Sequence, residues 1–236
     1  MPNRSLSEFN LFCLPFAGAN KYSYNRYKAI APDRVNVIPL ELPGRGGRHG
    51  EELLTDMASM TGDLLAQVIP HIGRPYVFWG HSMGAILGYL MIKELIFRKL
   101  PQPIHLFITA CRAPGLKTDA VIYHQLPKAQ FLEELKKLGG SPEEILQDEE
   151  VMNFYEPIIR ADFKAVETFA YSPTQPFSIP ITAMIGQSDK VKREDALAWR
   201  TETDKELVLK EFAGGHFFIF DHEELLMKMI TRCVLC

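Results

Sequence analysis

Six short runs of apolar residues, without regular polar alternation, occur along the chain. Runs of this length are typical of strands that are covered on both faces, as in a parallel sheet. Loops rich in glycine, proline or small polar residues follow several of them, which supports strands rather than buried helices. The predicted strands are Phe9–Leu14, Val35–Leu40, Tyr76–Trp79, Ile104–Ala110, Ile181–Gly186 and Leu207–Phe212.

Segments with apolar residues at helical spacing separate these runs. The clearest is Leu53–Ile69, and a second helix is predicted to run from Ala85 to about Lys99. Later helices are predicted over Arg193–Thr201 and Glu223–Cys233. Because strands alternate with helices, the sequence predicts an α/β fold with a mostly parallel, doubly wound sheet.

The alternation stops after the strand that ends at Ala110. Between about residues 115 and 169 no strand pattern occurs, and several helical segments do. We expect this insertion to lie over the carboxyl edge of the sheet as a lid, and a packed helical extension is the alternative. The chain is otherwise expected to form one domain, residues 1–236. The helices predicted in the insertion are Lys128–Leu138, Pro142–Gln147, Glu149–Tyr155 and Ile158–Thr168.

Composition excludes several classes of protein. The chain has 236 residues, 47% of them hydrophobic, which is enough for a sizeable core. A net charge of −3 does not indicate a nucleic-acid-binding protein. No apolar run approaches the roughly 20 residues that span a bilayer, and the N-terminus lacks a signal-peptide core. We therefore expect a cytoplasmic protein that binds neither nucleic acid nor membrane. We also expect it to be a monomer.

The four cysteines do not form a metal-binding pattern with histidines. Cys13 and Cys111 fall inside apolar runs, so we interpret them as small core residues. Cys233 and Cys236 lie at the end of the chain, away from any strand–helix junction where a redox site is expected. The sequence therefore predicts no metal site.

The third predicted strand ends in Gly80-His81-Ser82-Met83-Gly84, and a helical segment follows at once. A sharp turn at Ser82 would lift its hydroxyl above the carboxyl edge of the sheet. Glycines two residues either side suit such a turn, because a β-carbon there would crowd the strand against the helix. The motif in this context predicts a nucleophilic serine, and an ordinary strand–helix turn is the alternative.

A serine that attacks a carbonyl needs N–H donors for the negative charge that develops on the oxygen. The Met83 N–H, at the start of the predicted helix, is one candidate. The loop after the first strand, residues 15–20, is small and contains glycine, so its N–H groups can face a site. We expect the second donor of this oxyanion hole to be Ala17 or its neighbour Phe16.

A serine hydroxyl is a weak nucleophile at neutral pH, so it needs a base that is in turn oriented by a carboxylate. In this kind of fold both partners come from loops after later strands, the acid before the histidine. Asp189 closely follows the strand Ile181–Gly186, and His216 follows the last strand after two glycines. The sequence therefore predicts the catalytic triad Ser82, Asp189 and His216.

Other acids and histidines fall in less suitable places. No acid follows the strand Ile104–Ala110 before Asp119, so the alternative acid position is empty, and Asp195 lies within a predicted helix. His81 adjoins the nucleophile but is expected to point away from it. The remaining candidates begin a strand, lie in the insertion or lie in the final helix; they are His105, His124 and His222.

These motifs together make the chain resemble the external (type II) thioesterases of nonribosomal peptide and polyketide synthesis, which have an α/β-hydrolase fold. The resemblance covers nearly the whole chain, and Ala19 departs from it where the family usually has a second glycine. The matching motifs are Leu14-Pro15-Phe16-Ala17-Gly18, Leu42-Pro43-Gly44-Arg45-Gly46, Gly80-His81-Ser82-Met83-Gly84, Gly186-x-x-Asp189, Phe212-x-Gly214-Gly215-His216-Phe217-Phe218 and, in the insertion, Leu138-Gly139-Gly140 and Arg160-Ala161-Asp162.

The resemblance implies hydrolysis of aberrant, stalled or intermediate acyl groups through an acyl-enzyme on Ser82. The acyl group would arrive on the phosphopantetheine arm of an acyl or peptidyl carrier protein, and the enzyme would need no cofactor of its own. Carrier proteins are acidic, so exposed Arg45, Arg48 or Lys117 would steer docking, unless these are only solvated loop charges. Apolar residues of the insertion would line an acyl pocket or form the core of the lid itself; they are Phe131, Leu135, Phe154 and Phe163.

Two other functions fit parts of the pattern. One is an esterase or lipase that acts on free oxygen esters, against which the family resemblance argues. The other is a catalytically silent protein that binds acyl groups or a partner, against which the intact triad argues.

Overall fold

The computed structural model describes residues 9–116, 121–140 and 143–235. Its centre is a sheet of six parallel strands in the order β2-β1-β3-β4-β5-β6. This confirms the predicted α/β fold with a parallel sheet. The strands are β1 (Phe9–Leu14), β2 (Val35–Pro39), β3 (Tyr76–His81), β4 (His105–Thr109), β5 (Ile181–Gly186) and β6 (Leu207–Phe212).

Helices cover both faces of the sheet. Helices α2 and α3 pack on one face, and α1 and α8 pack on the other, so the sheet is doubly wound. No helix in the described part of the chain is long and apolar enough to cross a bilayer. The helices are α1 (Asn25–Ile30), α2 (Met57–Val68), α3 (Met83–Phe97), α4 (Lys128–Leu138), α5 (Glu143–Gln147), α6 (Glu149–Glu167), α7 (Arg193–Leu197) and α8 (Glu223–Leu235).

Helix α1 and the 3-10 turn before it, Lys21–Tyr24, were not predicted. This segment is held by two buried tyrosines rather than by a periodic apolar face. The Tyr24 and Tyr27 rings lie edge-on to the Trp79 ring of β3, with centroids 5.4 and 4.5 Å away. Such aromatic contacts stabilise a short helix that its own propensity would not.

Helix α2 begins four residues later than predicted. Asp56 is its N-cap, and the Asp56 carboxylate accepts a hydrogen bond of 2.8 Å from the Ser59 N–H. Because the helix starts after this cap, Leu53 and Leu54 lie in the preceding loop. Leu54 still packs against the core from there. The apolar spacing predicted the helix correctly, but the Asp56 cap determined the residue at which it begins.

The insertion contains one long helix where two were predicted. Helix α6 runs through Pro157 without ending, although a proline lacks the N–H for an intrahelical bond. Its buried face is continuous on both sides of the proline, with Met152, Ile158, Ala161 and Ala165 all packed inside. Burial of this face therefore outweighs the one lost hydrogen bond.

Cys13 and Cys111 are buried in the core, as predicted. The thiol of Cys233 lies 3.8 Å from Nδ1 of His105, and Cys236 lies outside the described residues. Burial raises the pKa of the Cys111 thiol to about 12, so this group stays protonated and packs as an apolar side chain.

Strand β3 meets α3 through two glycines. A β-carbon built on Gly80 would lie 2.2 Å from the carbonyl carbon and oxygen of Gly84. A β-carbon on Gly84 would lie 2.7 Å from the carbonyl oxygen of Leu14, at the end of β1. Both obstacles are backbone atoms, which cannot rotate away, so only glycine allows α3 to start this close to the sheet.

We predict that Gly80→Ala destabilises the fold by about 1–3 kcal/mol or more, because the new methyl group overpacks a rigid backbone contact. Urea unfolding followed by circular dichroism measures the change. Gly62→Ala is the matched control, since its β-carbon on α2 would meet nothing within 4 Å. That substitution is expected to stabilise by roughly 0.5–1 kcal/mol. Equal stability of the Gly80→Ala variant and the wild type would contradict the packing argument.

Candidate active site

Ser82 lies at the turn between β3 and α3 with a strained backbone. Its φ and ψ angles are 51° and −118°, which are unusual for a residue with a β-carbon. The conformation is held by flanking hydrogen bonds: the Ser82 N–H donates to the Thr109 carbonyl at 2.8 Å, and the Ser82 carbonyl accepts from the Ala85 N–H at 3.0 Å. The expected sharp strand–helix turn is therefore present.

Asp189 and His216 are hydrogen-bonded to each other. Nδ1 of His216 lies 3.0 and 3.2 Å from the two carboxylate oxygens of Asp189, and both side chains are largely buried. Asp189 also accepts from the Val191 N–H at 3.3 Å. A carboxylate on Nδ1 leaves Nε2 free to act as a base, which is the orientation that a triad requires.

The loops that carry Asp189 and His216 are bonded to each other through their backbones. The Gln187 N–H donates to the Phe212 carbonyl at 2.8 Å, and the Ser188 N–H donates to the Gly214 carbonyl at 2.9 Å. A β-carbon on Gly186 would lie 2.2 Å from the Gly215 carbonyl oxygen. The two loops therefore form a single rigid edge, which holds the imidazole against the carboxylate.

Ser82 and His216 line one cavity of about 510 Å³. In the described part of the chain the Ser82 hydroxyl takes part in no hydrogen bond, so it is free to receive a reacting carbonyl. Catalytic hydrogen bonds are often long in the absence of substrate and shorten when it binds. The structure thus brings the predicted nucleophile to the same cavity as the hydrogen-bonded Asp189–His216 pair.

His81 packs behind the predicted base. Its ring lies against the rings of His216 and Phe217, each with a centroid separation of 5.1 Å, and Nδ1 lies 3.1 Å from Oγ1 of Thr109. Burial, and next the proximity of His216, lower the pKa of His81 well below its usual value. His81 is therefore a neutral, buried ring that packs against His216 and Phe217.

His105 and His124 have partners away from the Asp189–His216 pair. His105 is buried on β4, where Nε2 lies 2.9 Å from Oγ1 of Thr182, and burial lowers its pKa to about 4. His124 contacts the Glu167 carboxylate within the insertion. These contacts account for both side chains without a catalytic role.

Three N–H groups of the loop after β1 are held by hydrogen bonds. The Ala19 N–H donates to the Phe16 carbonyl at 2.9 Å, and the Gly18 N–H donates to Oδ2 of Asp162 at 2.8 Å. The third of these is that of Asn20, which donates to Oγ of Ser23 at 3.2 Å. Among the described residues the N–H groups of Phe16, Ala17 and Met83 donate to no hydrogen bond, and Phe16, Ala17 and Ser82 all line the cavity. This pattern favours Ala17 over Gly18 as an available donor, and Phe16 remains the second sequence candidate.

Helices of the insertion supply much of the cavity wall. Leu135 and Phe163 line the cavity, whereas Phe131 is fully buried beside Phe163 and Phe154 is exposed. The proposed roles for these four residues therefore divide between pocket, core and surface. The insertion residues on the wall are Tyr123, Leu135, Leu138, Gly139, Gly140, Leu146, Val151, Met152, Tyr155, Ile159 and Phe163.

The expectation of an exposed Arg45 was wrong. Arg45 is 1% exposed, and its guanidinium forms a bidentate ion pair with the fully buried Asp162 of α6. The loop after β2 turns inward under the insertion, so this charge is not available to a partner protein. Arg48 is half-buried and pairs with Glu51 and Asp63. Lys117 lies outside the described residues.

Sequence reasoning did not identify Arg45 and Asp162 as a pair, although a signal was present. Asp162 lies on the apolar stripe of α6, between Ile158, Ala161 and Ala165. A carboxylate on the buried face of a helix requires a cation or several donors. Its partner could not be assigned, because Arg45 is 117 residues away along the chain.

No group of three or more histidine, cysteine or acidic side chains that could hold a metal ion occurs within the described ranges. The polar groups at the cavity are instead suited to acyl transfer, with a serine, an oriented imidazole and free N–H donors.

Comparison with known proteins assigns the chain to a family. Residues 9–233 match the family described as "Thioesterase domain". The gramicidin S biosynthesis protein GrsT of Aneurinibacillus migulanus is 32% identical over 229 residues, which are 97% of this chain and 90% of that protein.

Two solved structures are similar over almost the whole fold. ClbQ from the colibactin NRPS/PKS pathway has a TM-score of 0.90 at 30% identity, over 96% of each chain. The type II thioesterase BorB from the borrelidin biosynthetic cluster has a TM-score of 0.88 at 31% identity, over 98% of this chain and 94% of BorB. These similarities confirm the predicted α/β-hydrolase fold.

We predict that Asp189→Asn lowers kcat by roughly 10⁴-fold, because an amide at this position favours the wrong imidazole tautomer. Steady-state thioester hydrolysis measures the loss. Asp204→Asn is the control, since Asp204 is exposed and bonds Ser178 away from the cavity; it should leave kcat unchanged. A near-normal rate in the folded Asp189→Asn variant would remove Asp189 from the triad.

Proposed function

We propose that this chain, which belongs to the thioesterase domain family, is a serine thioesterase of nonribosomal peptide or polyketide biosynthesis. Its substrates would be acyl groups on the phosphopantetheine arm of acyl or peptidyl carrier proteins. The observation that carries the proposal is the hydrogen-bonded Asp189–His216 pair on the same cavity as Ser82, under a roof formed by the insertion.

In the proposed reaction His216 acts first as a base. Its Nε2 takes the proton of the Ser82 hydroxyl while Oγ attacks the thioester carbonyl. The tetrahedral oxyanion is stabilised by the Met83 N–H and a second N–H, from Ala17 or Phe16. Collapse breaks the carbon–sulfur bond, and the imidazolium protonates the departing pantetheine thiolate.

Water completes the proposed cycle. His216 removes a proton from a water molecule that attacks the ester carbonyl of the acylated Ser82. The second tetrahedral intermediate collapses to a free carboxylic acid, and the proton returns to the serine oxygen. Asp189 keeps the imidazole in the same tautomer through both halves and stabilises the imidazolium.

We propose that residues 115–169 act as the lid of a single domain that spans the chain. Helices α4 and α6 cover the cavity, which favours a substrate on a long, narrow arm over a bulky free ester. An acyl group on phosphopantetheine meets this requirement, and the carrier domain would stay outside. On this proposal the enzyme acts as a cytoplasmic monomer.

The cavity wall favours uncharged, apolar acyl groups. None of the described wall residues is aspartate, glutamate, lysine or arginine, and most carry apolar side chains. A free α-ammonium or a second carboxylate would be desolvated there without a counter-ion, which costs several kcal/mol. A volume of about 510 Å³ is within the usual range for pockets that bind small molecules.

We predict that Ser82→Ala abolishes hydrolysis of acyl-loaded carrier proteins and labelling by a fluorophosphonate. The methyl group cannot form the acyl-enzyme, whereas the fold should persist because the change is small. Comparison of carrier thioesters with simple oxygen esters on the wild-type protein distinguishes a thioesterase from a general esterase. Retained turnover in the alanine variant would show that the nucleophile is a different residue.

We predict that Leu135→Trp shortens the range of acyl chains accepted. The larger ring would occupy part of the cavity, so turnover of long-chain acyl carriers should fall by about 10-fold or more while acetyl turnover persists. Leu132→Trp is the matched control, because Leu132 lies on the same helix α4 but not on this cavity. An identical chain-length profile for both variants would show that the acyl group binds elsewhere.

A further inference from the structure

A buried polar junction joins the insertion to the loop after β1. The carboxylate of Asp162, on α6, accepts from both terminal nitrogens of Arg45, at 2.5 and 2.8 Å, and from the Gly18 N–H at 2.8 Å. The side chains of Arg45 and Asp162 are 2% and 0% exposed. Three segments distant in sequence thus meet at a single carboxylate.

Stability does not account for such a pair. Taking both charges out of water offsets most of their attraction, and apolar residues of similar volume often serve as well. Apolar residues could not replace the third hydrogen bond, because the Gly18 N–H would then lose the acceptor that fixes its direction. The property that distinguishes Asp162 is therefore its contact with the backbone of the loop.

The loop geometry links this contact to the free N–H of Ala17. The carbonyl of Phe16 and the N–H of Ala17 belong to one planar peptide group and point in opposite directions. The Phe16 carbonyl is held by the Ala19 N–H at 2.9 Å. The next peptide group is held by Asp162 through the Gly18 N–H. With both peptide planes anchored, the direction of the Ala17 N–H is determined.

We propose that Asp162 is a positioning residue for the oxyanion hole. Its carboxylate, neutralised by Arg45, holds the Gly18 N–H and thereby directs the Ala17 N–H towards the oxyanion formed on Ser82. This inference rests on the proposed function and on Ala17 as the second donor. Because Asp162 belongs to the insertion, the oxyanion hole is complete only while α6 is docked on the loop.

Two double variants separate the hydrogen bond from the ion pair. Arg45→Leu/Asp162→Leu removes both charges and the acceptor, whereas Arg45→Leu/Asp162→Asn removes both charges but keeps an oxygen for the Gly18 N–H. The asparagine and leucine side chains have similar sizes, so packing changes little between the two. Glu156→Gln is the control on the same helix, since Glu156 bonds Arg160 and not the loop.

The readouts are kcat and KM for one acyl carrier protein, and the affinity for an alkylboronic acid. A boronic acid forms an anionic tetrahedral adduct with a nucleophilic serine and so reports on the oxyanion hole. For the leucine pair we expect kcat to fall on the order of 10–100-fold with little change in KM. Boronate affinity should fall by a similar factor, and the asparagine pair should recover most of both.

Equal kcat and boronate affinity in the two double variants, whether high or low, would overturn the positioning role. If the leucine pair does not fold, Arg45→Met/Asp162→Ala supplies a second pair without an acceptor, to be compared with the asparagine pair. Failure of the proposed function is recognised separately, because the wild-type protein would then not hydrolyse the carrier thioester in the same assay.

Discussion

The contact between the end of β3 and the first turn of α3 is the constraint on which the rest of the site depends. Gly80 and Gly84 let two backbones approach more closely than any side chain would allow, and Gly84 also abuts the end of β1. The turn that results holds Ser82 in its unusual conformation and leaves the Met83 N–H free at a helix start. Because β3 lies between β1 and β4, this turn is next to the loop that carries Ala17.

Backbone hydrogen bonds between two loops help determine where Asp189 and His216 lie. The loops after β5 and β6 are joined by two N–H to carbonyl bonds and by the close approach of Gly186 to Gly215. Both loops leave the sheet at the carboxyl edge, since all the strands are parallel. His216 is thus oriented by a rigid scaffold as well as by Asp189, and the neutral ring of His81 packs against it. An imidazole held in this way would lose little entropy in the proposed role of base.

The insertion differs from the Ser82 turn and from the loops after β5 and β6, because a buried charge pair as well as apolar packing attaches it to the sheet. Phe131 forms part of its interior, and Leu135 and Phe163 face the cavity. The Arg45–Asp162 pair joins it to the loops after β1 and β2. A bidentate ion pair is directional, so it favours one orientation of the insertion on the sheet. The same contact therefore fixes both the cavity wall and the backbone of the loop after β1.

Local patterns were sufficient for most of the fold and for naming the three residues of the proposed triad. Short, mostly apolar runs predicted every strand, with β1, β5 and β6 at the observed bounds, and the order of loops along a parallel sheet placed Ser82, Asp189 and His216 at one edge. Features that depend on contacts distant in sequence were decided only in the tertiary structure. The continuous α6, the aromatic support of α1 and the burial of Arg45 against Asp162 are of this kind. The start of α2 is set locally, by the Asp56 cap. Periodicity records whether a residue is buried but not which residue it meets, because the partner of a buried group is determined by how the elements pack.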